Sequence, residues 1–379
     1  MDNAATTRMC PAAVQAMQPY LTAFYGNPSA MYQAGRRARE AVRRSRDIIS
    51  AMLGAKPDEI VFTSGGTEAD NWALTAVLEA KKEQGSHIIT SRIEHPAVLR
   101  TCEYLSRVRG AEITYLEPDE NGVIRPETAA AAIRSDTILM SVMTANNEVG
   151  TLQPVAELGR LAHANGILFH TDAVQAFGHM PLSADEMEID LLSASGHKFY
   201  GPKGCGFLYI RKGTGIGSMI RGGAQEYNRR AGTENVPGIV AMGAAAEEAG
   251  QWMEDRMRHE TELRDYMIGR MRTEIPGVQL NGHPERRLPN NVSLQFPGIS
   301  AESALIRLDL QGIAASAGSA CSTGSLEPSH VLLAMGRSRE EAFQSLRFTL
   351  SYETTRDEVD QVVETMKQIC NHGSCGETK

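Results

Sequence analysis

The chain contains 379 residues, of which 42% are hydrophobic and 22% charged, and its formal net charge at pH 7 is −8. At about 150 residues per domain this length predicts two domains with a core that needs no disulfide or metal support. The acidic balance argues against a nucleic-acid-binding protein that relies on overall basicity. The sequence also contains no apolar run long enough to predict a membrane span.

The six cysteines are scattered and do not form the dense pattern of a disulfide-stabilised secreted protein. The amino terminus lacks the charged and then apolar pattern of a signal peptide. We therefore expect a cytoplasmic protein with reduced cysteines. Many of the 35 glycines lie in short clusters beside Ser, Thr, His and Lys, which is typical of backbone that approaches a ligand closely.

From residue 59 onward, short apolar runs alternate with helix-like stretches. Helices are predicted over residues 68–82 and 96–107. Strands are predicted at residues 60–62, 87–90, 113–116, 138–142, 167–170, 190–193 and 206–210. Alternating strands and helices predict an α/β fold in which a mixed, mostly parallel sheet lies between helices.

The pattern changes after a long helix predicted over residues 239–275. Beyond Pro276 the chain alternates strand, helix, strand and helix, and it closes with a helix predicted over residues 357–369. We predict a large domain over residues 13–250 and a smaller α/β domain over residues 251–379, which residues 1–12 also join.

The first candidate site follows the strand at residues 60–62, where the chain reads Phe-Thr-Ser-Gly-Gly-Thr-Glu over residues 62–68. The N–H groups at the start of a helix attract anions, so Gly66 and Thr67 are candidates for phosphate binding. Ser and Thr also cap helices routinely, and a simple helix cap is the alternative. The common nucleotide-binding, zinc-protease and nucleophile-elbow motifs are absent from the sequence.

Two further motifs follow later strands. Asp172 ends the apolar run at residues 167–169, at the strand end where parallel sheets bind ligands, although a helix cap is again the alternative. Lys198 follows the next strand within Ser195-Gly196-His197-Lys198, and partial desolvation there would favour the free amine that a Schiff base requires. A lone Lys is otherwise an exposed surface residue.

Together these three motifs supply what pyridoxal 5'-phosphate requires: an anion site, a carboxylate for the pyridine nitrogen and an amine for the aldehyde. The joint pattern predicts a pyridoxal phosphate enzyme more strongly than each motif alone. No metal site is predicted.

Cys321 lies among small residues over residues 314–325. Such residues make a poor core, so an exposed loop is predicted there. Because Cys is usually buried and inert, this setting favours Cys321 as a nucleophile. A buried thiol in a tight turn is the alternative.

A series of short motifs extends through nearly the whole chain. In order, they begin at Asp2, Gly26, Thr63, Glu94, Asn146, Thr171, Ser195, Arg229 and Ser319. In this order they resemble the cysteine desulfurases of the NifS/IscS type, which belong to the class V aminotransferases. The resemblance implies fold type I of the pyridoxal phosphate-dependent transferases. The Cys321 loop is similar to that of the NifS/IscS group rather than that of the SufS group.

The resemblance implies a role for each matching residue. Lys198 would hold the cofactor and move the Cα proton of the substrate, while His95 would stack on the ring and exchange protons. Arg347 would bind the substrate carboxylate. The implied cofactor-binding residues are Gly66, Thr67, Asn147, Asp172, Gln175, Ser195, Gly196, His197, Lys198 and Thr233, with Asn147 also contacting substrate.

Within that set, Asp172 would pair with the pyridine nitrogen, and Gln175 and Asn147 would face the ring hydroxyl. Thr233 would reach the cofactor phosphate of a partner subunit, which implies a homodimer with shared sites. The implied reaction converts L-cysteine to L-alanine and leaves a persulfide on Cys321. The persulfide sulfur would pass to an acceptor protein for iron–sulfur cluster assembly, tRNA thiolation or cofactor sulfuration.

Two alternatives stay open at this point. The first is another pyridoxal phosphate enzyme of the same fold, such as a selenocysteine lyase, a C–S lyase or an aminotransferase, although a plain aminotransferase has no use for Cys321. The second is a non-catalytic sulfur-trafficking subunit, against which Lys198, Asp172, His95 and Cys321 argue.

Three features lie outside this interpretation. The arginines of residues 36–46 predict a solvated helix face rather than a surface for tRNA or an acidic carrier. Cys370 and Cys375 match no zinc-binding pattern. The chain also begins almost inside its first motif, and its tail does not resemble the IscS-type end that docks an iron–sulfur scaffold.

Overall fold

The structure is a computed structural model that describes residues 1–317 and 327–373. Cys321 and Cys375 therefore lie outside the described residues. The described helices are α1 (Pro11–Leu21), α2 (Gln33–Met52), α3 (Gly66–Lys81), α4 (Pro96–Arg109), α5 (Pro126–Ala131), α6 (Val155–Ala164), α7 (Gln225–Asn228), α8 (Val236–Gln251), α9 (Met253–Glu274), α10 (Ala301–Asp309), α11 (His330–Ala334), α12 (Arg339–Phe343) and α13 (Arg356–Gly373).

Eleven strands in the described ranges form two sheets. They are β1 (Ile60–Thr63), β2 (His87–Ser91), β3 (Glu112–Leu116), β4 (Thr137–Ser141), β5 (Leu168–Asp172), β6 (Leu191–Ser195), β7 (Gly206–Ile210), β8 (Gln279–Leu280), β9 (Asn291–Gln295), β10 (Ser316–Ala317) and β11 (Ser345–Thr349). The larger sheet has the order β1-β7-β6-β5-β4-β2-β3, and the smaller has the order β10-β11-β9-β8.

The larger sheet is mixed and mostly parallel, as predicted. Strand β7 is antiparallel to both of its neighbours, while the other strand pairs in this sheet are parallel. Strands β1 and β6 each pair antiparallel with β7, so they point the same way. The carboxyl ends of β1, β2, β4, β5 and β6 therefore meet at one edge of the sheet, the edge at which such folds bind ligands.

Apolar side chains on both faces hold helices against this sheet. Along β1, Ile60 and Phe62 belong to the cluster that includes buried residues of α2 and α8, while Val61 belongs to the cluster on α3 and α4. This alternation is the period-two pattern of a strand buried on both faces. The result is a three-layer arrangement of helices, sheet and helices.

The smaller sheet is antiparallel and has its own hydrophobic cluster, which includes Leu263 and Met267 of α9 and Val363 of α13. Helix α8, by contrast, contributes Val236 and Ile239 to the larger cluster. This change between α8 and α9 supports a boundary near residue 250, and the division into domains stays a prediction.

The prediction of a single helix over residues 239–275 is wrong. The chain forms two helices, α8 and α9, that are interrupted at Trp252, whose φ of −111° and ψ of 13° are not helical. Each helix packs in a different hydrophobic cluster, so the interruption lets the chain change direction between clusters. Within the described residues, no helix is both long and apolar enough to cross a membrane.

Candidate active site

The predicted phosphate-binding residues meet where β1 and β6 end. Gly66 begins α3 directly after β1, and Ser195 is the last residue of β6. A Cβ atom added to Gly66 would lie 3.7 Å from Ser195 Cβ and only 2.6 Å from Val174 Cγ2. Glycine is therefore needed for this close approach. Helix α3 supplies 16 residues of aligned dipole, and its first N–H groups have no acceptor within the helix.

The alternative for this turn is that Ser or Thr only caps helix α3. Gly65 is the N-cap of α3, and no side chain forms a capping hydrogen bond there. Thr67 lies on the first turn and is exposed. Thr67 and His95 line one cleft.

Asp172 and His95 face each other at the same edge. Asp172 ends β5 and is buried, and its Oδ1 accepts a hydrogen bond from Val174 N at 2.9 Å. His95 is the N-cap of α4, where its Nδ1 accepts from Ala97 N at 3.1 Å. Because Nδ1 accepts, the proton of the neutral ring resides on Nε2. One ligand atom each of His95, Asp172 and Asp70 lies within 4.8 Å of the others.

Burial and the charges of neighbouring groups both shift the pKa values of Asp172 and His95. Burial raises the pKa of Asp172, while the charges of His95 and Lys198 lower it. Burial lowers the pKa of His95, which the Asp172 carboxylate raises and the Lys198 ammonium lowers. Asp172, His95 and Lys198 are therefore electrostatic neighbours at one site.

Lys198 directs its amine toward the amino-terminal segment. Its Nζ donates to Ala4 O at 2.5 Å and to Ala5 O at 2.9 Å. Its own carbonyl accepts from His179 Nε2 at 2.8 Å. Thr7 N donates to His197 O at 2.9 Å, and Thr7 Oγ1 accepts from Tyr200 N at 2.8 Å, so the backbone is fixed on both sides of Lys198.

Three more predicted residues lie around this lysine. Gly196 is buried in the turn before it, and His197 Nδ1 lies 3.1 Å from Thr6 Oγ1. Burial, followed by the charges of Lys198 and Lys203, lowers the pKa of His197 to about 4. Gln175 Nε2 donates to Ala4 O at 3.1 Å. A neutral His197 would bind a phosphate by donating a hydrogen bond.

Arg347 lies on the smaller sheet, in the middle of β11, and is buried. Its Nη1 donates to the backbone oxygen of Asn147 at 2.9 Å, and its Nη2 forms an ion pair with Asp2 Oδ1 at 2.8 Å. Its Nε has no hydrogen-bond partner among the described residues. The structure thus joins Arg347 to the backbone of Asn147, and the roles of the two residues in substrate binding stay a prediction.

Thr233 lies apart from the other predicted residues. It is exposed and lines a small pocket that also contains Thr63, Ser64 and Arg230. The described part of this single chain does not bring it to Lys198 or Asp172. A separate cleft of about 390 Å³ opens beside His95 and is lined by Thr67, Asn71, Pro96, Ala97, Arg100, Thr101 and Tyr104.

Three residues of the site were not predicted from the sequence. Asp2 pairs with Arg347 across 345 positions, and His179 donates to the backbone of Lys198. Asp70, on the first turns of α3, is buried with its Oδ1 lacking a hydrogen-bond partner in the described ranges, and burial raises its pKa well above the usual value. No local pattern signals these contacts, because each depends on how distant segments pack.

The prediction that the arginines of α2 form a solvated helix face is correct only in part. Arg36, Arg37 and Arg39 are exposed, as predicted for a solvated face. Arg46 is buried instead, because its guanidinium forms an ion pair with Glu226.

The chain is similar to proteins of a known family over most of its length. A family model described as aminotransferase class-V matches residues 1–362. A cysteine desulfurase IscS of Methanosarcina thermophila is 51% identical over 369 residues, which cover 97% of this chain and 91% of the relative. A cysteine desulfurase IscS of Dictyoglomus turgidum is 49% identical, with coverage of 97% and 93%.

Solved structures show the same similarity. A NifS-like protein superposes with a TM-score of 0.92 at 37% identity and covers 98% of both chains. SspA in complex with cysteine superposes with a TM-score of 0.83 at 35% identity, covering 93% of this chain and 99% of that one.

Proposed function

The chain belongs to the class V aminotransferase family, and from that premise we propose that it is a pyridoxal 5'-phosphate-dependent cysteine desulfurase. It would convert L-cysteine to L-alanine and leave the sulfur as a persulfide on Cys321. The observation that carries the proposal is the meeting of Asp172, His95 and Lys198 at one sheet edge. The relatives named cysteine desulfurase and the complex of SspA with cysteine support the choice of substrate.

The residues present fit the cofactor. Gly66 lets the start of α3 lie close to Val174 and Ser195 with no side chain between them, and Asp172 offers a buried carboxylate. Asp172 would pair with the pyridine nitrogen, His95 would stack on the ring, and Lys198 would hold the cofactor covalently. The phosphate would bind at Gly66, Thr67, Ser195, Gly196 and His197, with Gln175 and Asn147 facing the ring hydroxyl. When bound, pyridoxal phosphate withdraws electrons from the substrate α-carbon.

The protein's own groups would then perform the remaining steps. Arg347 would bind the substrate carboxylate, because its buried guanidinium has an Nε–H without a partner among the described residues. Lys198 would remove the Cα proton. The Cys321 thiolate would attack the substrate sulfur. The C–S bond would break with its electron pair passing to carbon, so that one L-cysteine and one thiol yield one L-alanine and one persulfide.

The decisive experiment measures L-alanine and sulfide released from L-cysteine by wild type and by Cys321→Ala, with and without a reductant. We expect equal amounts of both products in wild type with reductant, and loss of both in the variant. Normal sulfide release by Cys321→Ala would instead identify a direct C–S lyase. Lys198→Ala is the second control, because it should remove the visible absorbance of the bound cofactor as well.

The proposal includes a homodimer in which Thr233 acts on the cofactor phosphate of the partner subunit. A mixture of Lys198→Ala and Thr233→Ala proteins tests it. In a mixed dimer with shared sites, one site combines both substituted residues. The other site combines the intact Lys198 of one subunit with the intact Thr233 of its partner, so mixing restores activity. Sites formed within one subunit would give no recovery on mixing.

We also propose a cytoplasmic location and a separate acceptor protein for the sulfur. Cell fractionation tests the location. Transfer of ³⁵S from L-[³⁵S]cysteine, through the enzyme, to a co-purified protein tests the acceptor.

A further inference from the structure

The Arg347 guanidinium is a buried cation that already has a carboxylate partner. Arg347 is 4% exposed, and its Nη2 lies 2.8 Å from Asp2 Oδ1. The second oxygen of Asp2 accepts from Ser316 Oγ at 2.8 Å. Both oxygens of Asp2 are therefore engaged, and the carboxylate is fixed against Arg347 by a charge-assisted hydrogen bond.

A second acid near Arg347 does not serve as its ionic partner. Burial raises the pKa of Glu148 to about 7, although Ser329 and the Arg347 charge lower it. Ser329 Oγ donates to the Glu148 carboxyl group. Among the described residues, Asp2 is thus the carboxylate in direct contact with Arg347.

The proposed substrate brings a second carboxylate to the same guanidinium. Two carboxylates at one buried cation repel each other, and a partner already present reduces what the cation gains from a new one. The Asp2 side chain is 19% exposed, so it can turn toward solvent and away from Arg347 more easily than a fully enclosed side chain can.

From this arrangement we infer that Asp2 limits the affinity of the site for carboxylates, because its own carboxylate competes with the substrate carboxylate for Arg347. The inference rests on the proposed function, because it assumes that Arg347 binds the substrate. Asp2 weakens the binding of every amino acid that relies on Arg347, and it compensates the buried charge of Arg347 when no such ligand is bound.

The test compares two probes that differ only in a carboxylate, L-alanine and ethylamine, by titration calorimetry on the cofactor-loaded enzyme. Asp2→Asn keeps the size of the side chain and removes its charge. We expect the variant to bind L-alanine about tenfold more tightly than wild type, with the affinity for ethylamine unchanged. Unchanged or weaker L-alanine binding by Asp2→Asn would overturn the inference.

Two further variants make the result specific. Glu353→Gln also removes a carboxylate paired with an arginine, Arg8, at an exposed position, and should leave both affinities unchanged. Arg347→Met should abolish the preference for L-alanine over ethylamine. If the preference survives in Arg347→Met, the proposed role of Arg347 fails. If Arg347→Met loses the preference for L-alanine while Asp2→Asn binds both probes as wild type does, only the inference about Asp2 fails. Thermal unfolding of each variant confirms that it is folded.

Discussion

The Arg46 guanidinium and the Glu226 carboxylate form a bidentate ion pair enclosed by protein, with Nη1 at 2.8 Å from Oε2 and Nη2 at 2.7 Å from Oε1. Their side chains are 5% and 3% exposed. Phe62 N also donates to Glu226 at 2.9 Å, so the carboxylate joins α2, β1 and α7. Glu226 and the two residues after it have positive φ values, a conformation that non-glycine residues adopt only when their surroundings hold them.

Glu226→Gln should therefore destabilise the protein strongly. The substitution leaves the Arg46 cation buried without its anionic partner, and we expect a loss of about 3–5 kcal/mol in the free energy of unfolding. Chemical denaturation followed by circular dichroism measures it. The matched control is Glu353→Gln at the exposed pair with Arg8, for which a loss below about 1 kcal/mol is expected. Equal losses in the two variants would contradict this view of the buried pair.

Gly66→Ala should weaken cofactor binding through Val174. The new Cβ would lie 2.6 Å from Val174 Cγ2, and Val174 N donates to Asp172, so relief of the clash displaces the residue next to the proposed ring-nitrogen partner. We expect the dissociation constant for pyridoxal phosphate, from an absorbance titration, to rise about tenfold or more. Adding Val174→Ala should recover most of the affinity.

Gly269→Ala provides the control for this comparison. Gly269 lies inside α9, and a Cβ there meets no atom within 4 Å. The variant should bind the cofactor normally and gain up to about 1 kcal/mol of stability from the higher helix propensity of Ala. A failure of Val174→Ala to rescue Gly66→Ala would show that the clash is relieved elsewhere.

Asp172→Asn should separate cofactor binding from catalysis. The amide cannot supply the negative charge that keeps a pyridine nitrogen protonated, so we expect L-alanine formation to fall about a hundredfold or more while the cofactor stays bound. L-Alanine assay and the visible spectrum of the purified protein measure the two effects. Asp185→Asn is the control, because Asp185 pairs with Arg211 and its side chain is 73% exposed. Near-normal turnover in Asp172→Asn would exclude the proposed role of Asp172.

Glu260 makes the stability depend on pH. Burial raises its pKa to about 8 in the folded protein, although Arg256 and Tyr200 lower it, against 4.5 for an unperturbed Glu. Between pH 4.5 and 8 the folded state holds the proton and the unfolded state has lost it, so the free energy of unfolding falls as the pH rises through this range.

Glu260→Gln removes this titration. The free energy of unfolding of wild type, relative to that of the variant, should therefore fall by about 2–4 kcal/mol between pH 5 and pH 8. Chemical denaturation at each pH measures it. Glu262→Gln, at an exposed position on the same helix, should have the same free energy of unfolding as wild type at both pH values. A constant difference between wild type and Glu260→Gln would show that Glu260 is ionised in the folded protein.

Much of the larger sheet could be predicted because its strands are apolar runs buried on both faces, and Gly66, Asp172 and Lys198 follow such runs directly. Strand direction then brings them together at one edge. The antiparallel orientation of β7 was not predictable, because a buried strand has the same apolar sequence in either direction. The interruption at Trp252 was missed because residues 239–275 contain no proline to mark it.

The contacts of Arg347, by comparison, lay beyond any local pattern. Asp2 and Arg347 are separated by almost the entire chain, and their pairing follows from the position of residues 1–3 beside β11. Arg46 lies at helical spacing from Val42 and Ile49, on the buried stripe of α2, so its periodicity differs from that of the exposed arginines. Its partner Glu226, however, is 180 positions away and cannot be inferred from this spacing.

The attachment of the first residues to β11 sets an order of events during synthesis. Thr349 N donates to Met1 O at 2.8 Å, so the contact joins residues that are separated by almost the entire sequence. At about 5–20 residues per second, the amino-terminal segment waits on the order of 20–70 s for its partner strand. During that interval the larger sheet can form, but the wall that residues 2–5 provide beside Lys198 and Arg347 cannot be anchored there. This side of the site is thus fixed in place only after β11 has been synthesised.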